Sequence, residues 1–134
     1  MGVTLEVINK NIKWIMIIAG LITCSMIFAV FAPQAVLINM FGEALTAPLA
    51  QVVVRSWGFL IFLMGALLIY GAIKPKYRNL SLVLTTISKV VFILLIITFG
   101  AQYIEKSLVT LILDASLVLV FISYLMTVKH NKSN

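Results

Sequence analysis

Thiol and imidazole groups are almost absent from this sequence, which contains one cysteine, Cys24, and one histidine, His130. A single cysteine cannot form an intramolecular disulfide, and this excludes membrane thiol–disulfide enzymes, because they need cysteine pairs. A single histidine excludes bis-histidine haem ligation within one chain and a histidine-rich metal site. We therefore expect neither a cofactor nor a bound metal.

Charge is also scarce, since 10% of the residues are charged and 63% are hydrophobic. A soluble domain carries about 25% charged residues, so little remains for a soluble domain here. The catalytic patterns sought are missing as well: no glycine-rich phosphate loop, no HExxH, no paired carboxylates, and no histidine placed to activate a serine or threonine. These absences predict a protein without catalytic residues, that is, not an enzyme.

What the sequence does contain is four apolar runs, separated by charged, proline-bearing or glycine-bearing breaks. About 20 helical residues cross a hydrocarbon core of about 30 Å. The runs have this length and predict spans over about residues 14–32, 52–73, 80–100 and 108–128. The expected fold is all-α, a four-helix bundle in the membrane, with residues 1–134 forming a single membrane domain.

The formal net charge of +6 does not indicate a nucleic-acid partner, because the cationic residues lie at the ends of the spans. Cytoplasmic ends of membrane helices are enriched in Lys and Arg. One side carries Lys106 alone, whereas the other carries seven: Lys10, Lys13, Lys74, Lys76, Arg78, Lys129 and Lys132. This asymmetry predicts that both termini are cytoplasmic.

Two segments near the first span have alternative interpretations. Residues 3–13 either continue the first helix or lie along the membrane interface as an amphipathic stretch. Residues 33–48 are predicted to form a short helix on the outer surface, because their apolar positions share one helical face; the alternative is an apolar loop. A signal-like VFA motif closes the first run, but Pro33 follows it directly, so we expect the span to stay uncleaved.

Three ionisable residues lie inside predicted spans: Arg55, Lys89 and Asp114. Each costs about 2.5–3.5 kcal/mol at the membrane centre, so each should face the bundle interior. Arg55 and Asp114 both lie seven residues into inward-running helices, about 10 Å deep at 1.5 Å per residue. Lys89 lies near mid-membrane. We therefore predict a buried cluster of all three charges.

Polar neighbours accompany the predicted charge cluster, namely Gln51, Thr85, Thr110 and Tyr124. The cluster has an excess charge of +1, which favours an added anion or a lipid-like ligand. Two roles stay open for it. The charges either fix helix register as a structural network, or they form a ligand, proton or ion site.

Small residues recur every seven positions in the second span, at Gly58, Gly65 and Ala72. Small residues on one helix face let a neighbouring helix approach closely. This pattern predicts ordinary packing within the bundle, with a homodimer face as the alternative.

The region from residue 33 to residue 78 resembles the DoxX-like group of small four-helix bacterial membrane proteins. The resemblance rests on FG at residues 41–42, VRSWGF at 54–59, MGAL at 64–67 and KPKYR at 74–78. It implies a four-helix bundle in a bacterial inner membrane, and it singles out Arg55 and Gly58. Most members of such families have no established activity, so the resemblance implies no particular reaction.

Two functions are compatible with these features. The first is a non-enzymatic accessory subunit or assembly factor of a membrane complex, which would bind a membrane-protein partner. The second is a small transporter or ligand-binding bundle, as a monomer or homodimer, that uses the intramembrane charges. An anionic or lipid-like ligand suits these charges best. A lipid or glutathione-type transferase is disfavoured because its Arg, Asn and Glu motifs are missing.

Overall fold

The computed structural model of the protein describes residues 2–133, apart from the side chains at positions 2, 4, 5 and 130–133. The predictions that concern His130 and Lys132 therefore fall on side chains outside the described ones. The described chain is helical, with helices α1 to α6 joined by short connections and 3-10 turns. Their bounds are α1 Gly2–Cys24, α2 Phe28–Phe31, α3 Pro33–Phe41, α4 Pro48–Ile73, α5 Arg78–Phe99 and α6 Leu108–Ser133.

Within the part of the chain that the structure describes, four helical segments are long and apolar enough to cross a membrane, which confirms this part of the prediction. They cover Glu6–Phe31, Pro48–Ile73, Pro75–Phe99 and Leu108–Lys129. Residues 3–13 continue α1 without a break, so the helical alternative for this stretch is the one observed.

The first span is not one regular helix, because a 3-10 turn at Ser25–Ile27 separates α1 from α2. Here Thr23 Oγ1 donates to the Ala19 carbonyl at 2.7 Å and Ser25 Oγ donates to the Ile22 carbonyl at 2.5 Å. Hydroxyls that bond back onto their own helix often bend it. The span ends at Ala32, whose φ and ψ of −136° and 65° follow from the proline after it.

The four long helices form a ring in which each contacts its two neighbours. Helix α1 packs against α4 and α6, and α5 packs against α4 and α6. Helix α4 therefore lies diagonally across the bundle from α6. This order decides which of the intramembrane charges can meet.

Close packing between α1 and α4 depends on small residues. A Cβ atom on Gly65 would lie 2.7 Å from both the Gly20 carbonyl oxygen and the Cys24 amide nitrogen. A Cβ atom on Gly58 would lie 2.5 Å from the Cβ of Ala29. Ala72, 1% exposed, joins the apolar core with α1. The face predicted from Gly58, Gly65 and Ala72 is thus covered within the chain, and a second copy cannot use it in this fold.

The main hydrophobic core lies towards one end of the bundle. It is formed by buried apolar residues from the middle of α1 and of α6, the end of α4 and the start of α5: Ile12, Met16, Ala19, Leu68, Ala72, Leu82 and Phe121. Tyr124 packs against this core. The opposite halves of the same helices pack less tightly, and the candidate site lies there.

The nine-residue helix α3 covers the loosely packed end of the bundle. Ser107 Oγ, before α6, donates to the Met40 carbonyl at 2.9 Å, and the Tyr103 hydroxyl donates to Glu43 Oε2 at 3.0 Å. The ring of Phe41 lies 5.7 Å from that of Tyr103 in an edge-on arrangement. Gly42 ends α3 with φ of +79°, a left-handed conformation that glycine adopts readily. A helix, not a loop, therefore forms the first part of residues 33–48.

Candidate functional site

Lys89 and Asp114 form an ion pair inside the bundle. Lys89 lies midway along α5 and Asp114 lies in the second turn of α6, and these helices are neighbours in the ring. Lys89 Nζ donates to Asp114 Oδ1 at 2.8 Å, and the two side chains are 11% and 13% exposed. Each charge relieves part of the desolvation cost of the other. Two of the three predicted intramembrane charges therefore meet.

Arg55 does not join this pair, which corrects the expected three-residue cluster. No ion pair within 4.0 Å connects Arg55 to Asp114 in the described part of the chain. The reason is the helix order, because α4 lies diagonally across from α6. Arg55 is exposed, and its Nη1 donates to the Val30 carbonyl at 2.9 Å. That carbonyl belongs to the last turn of α2, where intrahelical partners run out.

A cavity of about 620 Å³ lies beside the ion pair, between all four spans and below α3. Most of its wall is apolar, with large side chains from several helices: Met26, Met40, Trp57, Met64, Phe92 and Leu117. Lys89, Asp114, Thr85 and Thr110 supply polar groups to it. An apolar cavity of 300–1,000 Å³ with a few convergent polar groups is typical of small-molecule sites.

Thr85 is the most deeply buried polar residue of this cavity, at 1% exposure. Its Oγ1 has no hydrogen-bond partner among the described residues. A buried hydroxyl without a partner is uncommon and costs about 1–3 kcal/mol. Thr85 also lies one helical turn from Lys89, so both side chains share a face of α5. A buried hydroxyl without a partner among the described residues therefore lies in the wall of the cavity, one helical turn from the charge pair.

The other predicted polar residues divide between the cavity and places outside it. Thr110 lines the cavity. Gln51 lies outside it and donates through Nε2 to the Leu45 carbonyl, before the start of α4. Tyr124 lies with the core at the opposite end. Gln51 and Arg55 line a separate depression of about 380 Å³ with residues 31–35. The four predicted polar neighbours therefore do not form one site.

Sequence reasoning missed the methionines and Trp57 of the cavity wall. Met26, Met40 and Met64 come from three different elements. A methionine inside an apolar run has no local signal that separates a cavity wall from a lipid-facing surface. Methionine adapts its shape to irregular space, which suits a wall that contacts a variable ligand.

Within the described residues, no group of three or more His, Cys, Asp or Glu side chains is placed to hold a metal ion. Comparisons with protein-family models, with curated protein sequences and with solved structures found no match to this chain. The resemblance to the DoxX-like group therefore stays a prediction from its motifs, and the functional argument depends on the cavity.

Proposed function

We propose that this protein is a small, non-enzymatic transporter or binding protein for a lipid-like molecule, which it holds in the cavity of its four-helix bundle. One observation supports this most directly. An apolar cavity of about 620 Å³ is lined by the part-buried Lys89–Asp114 pair and by Thr85, whose hydroxyl has no partner among the described residues. A purely structural ion pair needs no such space next to it, whereas a ligand with a polar head and an apolar body does.

The exposure of several lining residues supports a ligand that arrives from the bilayer. Some lining residues are also exposed on the lateral surface of the bundle. Leu60 is 59% exposed, Leu95 is 51% exposed and Ile22 is 45% exposed. This surface is the part of a membrane bundle that acyl chains contact. A membrane-dissolved amphiphile can therefore enter sideways without crossing water.

Met64→Trp is expected to lower the amount of bound ligand, because the larger side chain fills part of the cavity. Leu63→Trp is the matched control, since Leu63 is the neighbouring residue, is 44% exposed and does not line the cavity. The protein is extracted into native nanodiscs, and all bound molecules are identified by mass spectrometry. We expect a defined lipid-like molecule with the wild type and with Leu63→Trp, and several-fold less with Met64→Trp. Equal amounts with all three proteins would refute the proposed function.

We also propose that the protein lies in a bacterial inner membrane with both termini cytoplasmic and α3 on the outer face. Four spans place both termini on one side, and the α4–α5 connection with Lys74, Lys76 and Arg78 is on that side too. The positive-inside rule supports this orientation.

Cysteine labelling tests this orientation in a Cys24→Ser background. Glu43 and Lys76 are both exposed, near opposite ends of the bundle. A membrane-impermeable maleimide is expected to label Glu43→Cys in intact cells, and Lys76→Cys only after the membrane is permeabilised. The reverse pattern contradicts the proposed topology.

An accessory subunit or assembly factor is the second candidate function. Its specific support is α6, where 11% of the most apolar stretch is buried within the chain, compared with 22–28% for the other three spans. The same mass-spectrometry experiment separates the candidates. A stoichiometric membrane-protein partner without a defined ligand favours the accessory function.

A further inference from the structure

We infer that the ligand of the cavity is a single-chain amphiphile with an uncharged headgroup that both donates and accepts hydrogen bonds, such as a monoacylglycerol or a long-chain alcohol. This inference rests on the proposed function and specifies its substrate class. It follows from three properties of the cavity: its charge balance, its unused hydrogen-bonding groups and its size.

The charge balance of the cavity favours an uncharged headgroup. With three charges together, the site would carry an excess of +1 and attract an anion. In the structure Arg55 bonds the Val30 carbonyl and lies away from the pair, so the charges of Lys89 and Asp114 neutralise each other. A carboxylate or phosphate headgroup would then add an uncompensated charge beside Asp114, in a region of low dielectric. Such a charge is expensive inside a membrane.

The hydrogen-bonding capacity left at the cavity favours a headgroup that both donates and accepts hydrogen bonds. Lys89 Nζ carries three N–H groups, and the described structure shows one of them bonded, to Asp114 Oδ1. Asp114 Oδ2 can accept a hydrogen bond, and Thr85 Oγ1 can donate and accept. A hydroxyl headgroup can accept from Lys89 and donate to Asp114 at the same time. An ammonium group can only donate, and a carboxylate can only accept.

The size of the cavity favours one apolar chain. A volume of about 620 Å³ is in the range of sites that hold one drug-sized molecule. A whole two-chain phospholipid is larger than this. The wall from Met26, Met64 and Phe92 is apolar, which suits an acyl chain.

Three probes with the same chain and different headgroups test the inference: 1-oleoylglycerol, oleate and oleylamine. Trp57 lines the cavity, and the only other tryptophan, Trp14, lies in the middle of α1 and is 60% exposed. In a Trp14→Phe background, the emission of Trp57 in nanodiscs therefore reports binding. We expect 1-oleoylglycerol to bind at least about tenfold more tightly than oleate or oleylamine.

A pair of adjacent threonines provides the matched variants. Thr85 and Thr86 are both buried, and both have an Oγ1 without a partner among the described residues, but Thr86 does not line the cavity. Thr85→Val is expected to weaken binding of 1-oleoylglycerol about five- to tenfold, the effect of one lost hydrogen bond. Thr86→Val is expected to change it less than twofold. Both variants should keep the wild-type melting temperature or raise it, because valine removes an unpartnered polar group without a large change in shape.

The outcomes separate the two proposals. If oleate or oleylamine binds as tightly as 1-oleoylglycerol, or if Thr85→Val and Thr86→Val weaken binding equally, the headgroup inference is wrong and the binding function stands. If none of the three probes changes the emission of Trp57, and native nanodiscs contain no defined amphiphile, the proposed function fails together with the inference.

Discussion

Asp114→Asn is expected to lower the free energy of unfolding by about 3 kcal/mol, the usual cost of breaking a buried ion pair on one side. The asparagine leaves the Lys89 ammonium, 11% exposed, without a counter-charge. Adding Lys89→Met should recover most of this loss, because the double variant no longer holds a lone buried charge. Reversible unfolding in mixed micelles measures both variants against the wild type.

Two controls make this result specific to the Lys89–Asp114 pair. Glu105→Gln makes the same chemical change at an exposed acid and should alter stability by less than about 0.5 kcal/mol. Adding Arg55→Gln to Asp114→Asn should restore nothing, because Arg55 bonds the Val30 carbonyl and not Asp114. If Arg55→Gln recovered stability, the three-charge cluster would exist after all. If Asp114→Asn left the free energy of unfolding unchanged, the pair would not be buried.

Gly65→Ala is expected to lower the free energy of unfolding by about 2–3 kcal/mol, the usual range for overpacking. In an open helix interior this substitution stabilises by about 1 kcal/mol, because alanine is the better helix former. Here the added methyl would lie 2.7 Å from the Gly20 carbonyl oxygen and from the Cys24 amide nitrogen. These are backbone atoms, so α1 and α4 must separate to relieve the clash.

Gly100→Ala is the control for Gly65→Ala. Gly100 is also buried, but the nearest heavy atom to an added Cβ is the Ile96 carbonyl oxygen at 3.3 Å, followed by flexible side chains. We expect a change below about 1 kcal/mol in the same unfolding experiment. If Gly65→Ala proved neutral or stabilising, the close approach of α1 and α4 would be refuted.

Much of the fold could be predicted from the apolar runs alone. The four predicted spans correspond to four helices of 22–26 residues. Less predictable were the boundaries of the first span. The apolar residues among positions 3–13 have the spacing of one helix face, which is enough to extend α1. No local feature shows whether such a stretch enters the membrane or lies along its surface. The 3-10 turn at Ser25–Ile27 depends on hydroxyls that bond back to the backbone, and most threonines and serines in helices cause no such break.

The candidate site was predictable only in part. The rule that intramembrane charges face the interior correctly selects Lys89 and Asp114, but it also selects Arg55. Because Arg55 and Asp114 lie at equal depth, they were expected to meet. Depth, however, gives only the position along the membrane normal. The order of the helices around the bundle also matters, because α4, which carries Arg55, lies diagonally across from α6, which carries Asp114.

The sequence by itself determined that this chain forms four apolar helices, which segments they occupy and which charges lie within them. These properties follow from local composition, because a hydrocarbon environment requires each span to satisfy its own backbone hydrogen bonds. Only the tertiary structure decided the order of the helices, the partner of Asp114, the separate position of Arg55 and the cavity with its unpartnered Thr85. These depend on contacts between residues far apart in sequence, and hydrophobicity does not choose among apolar neighbours inside a membrane.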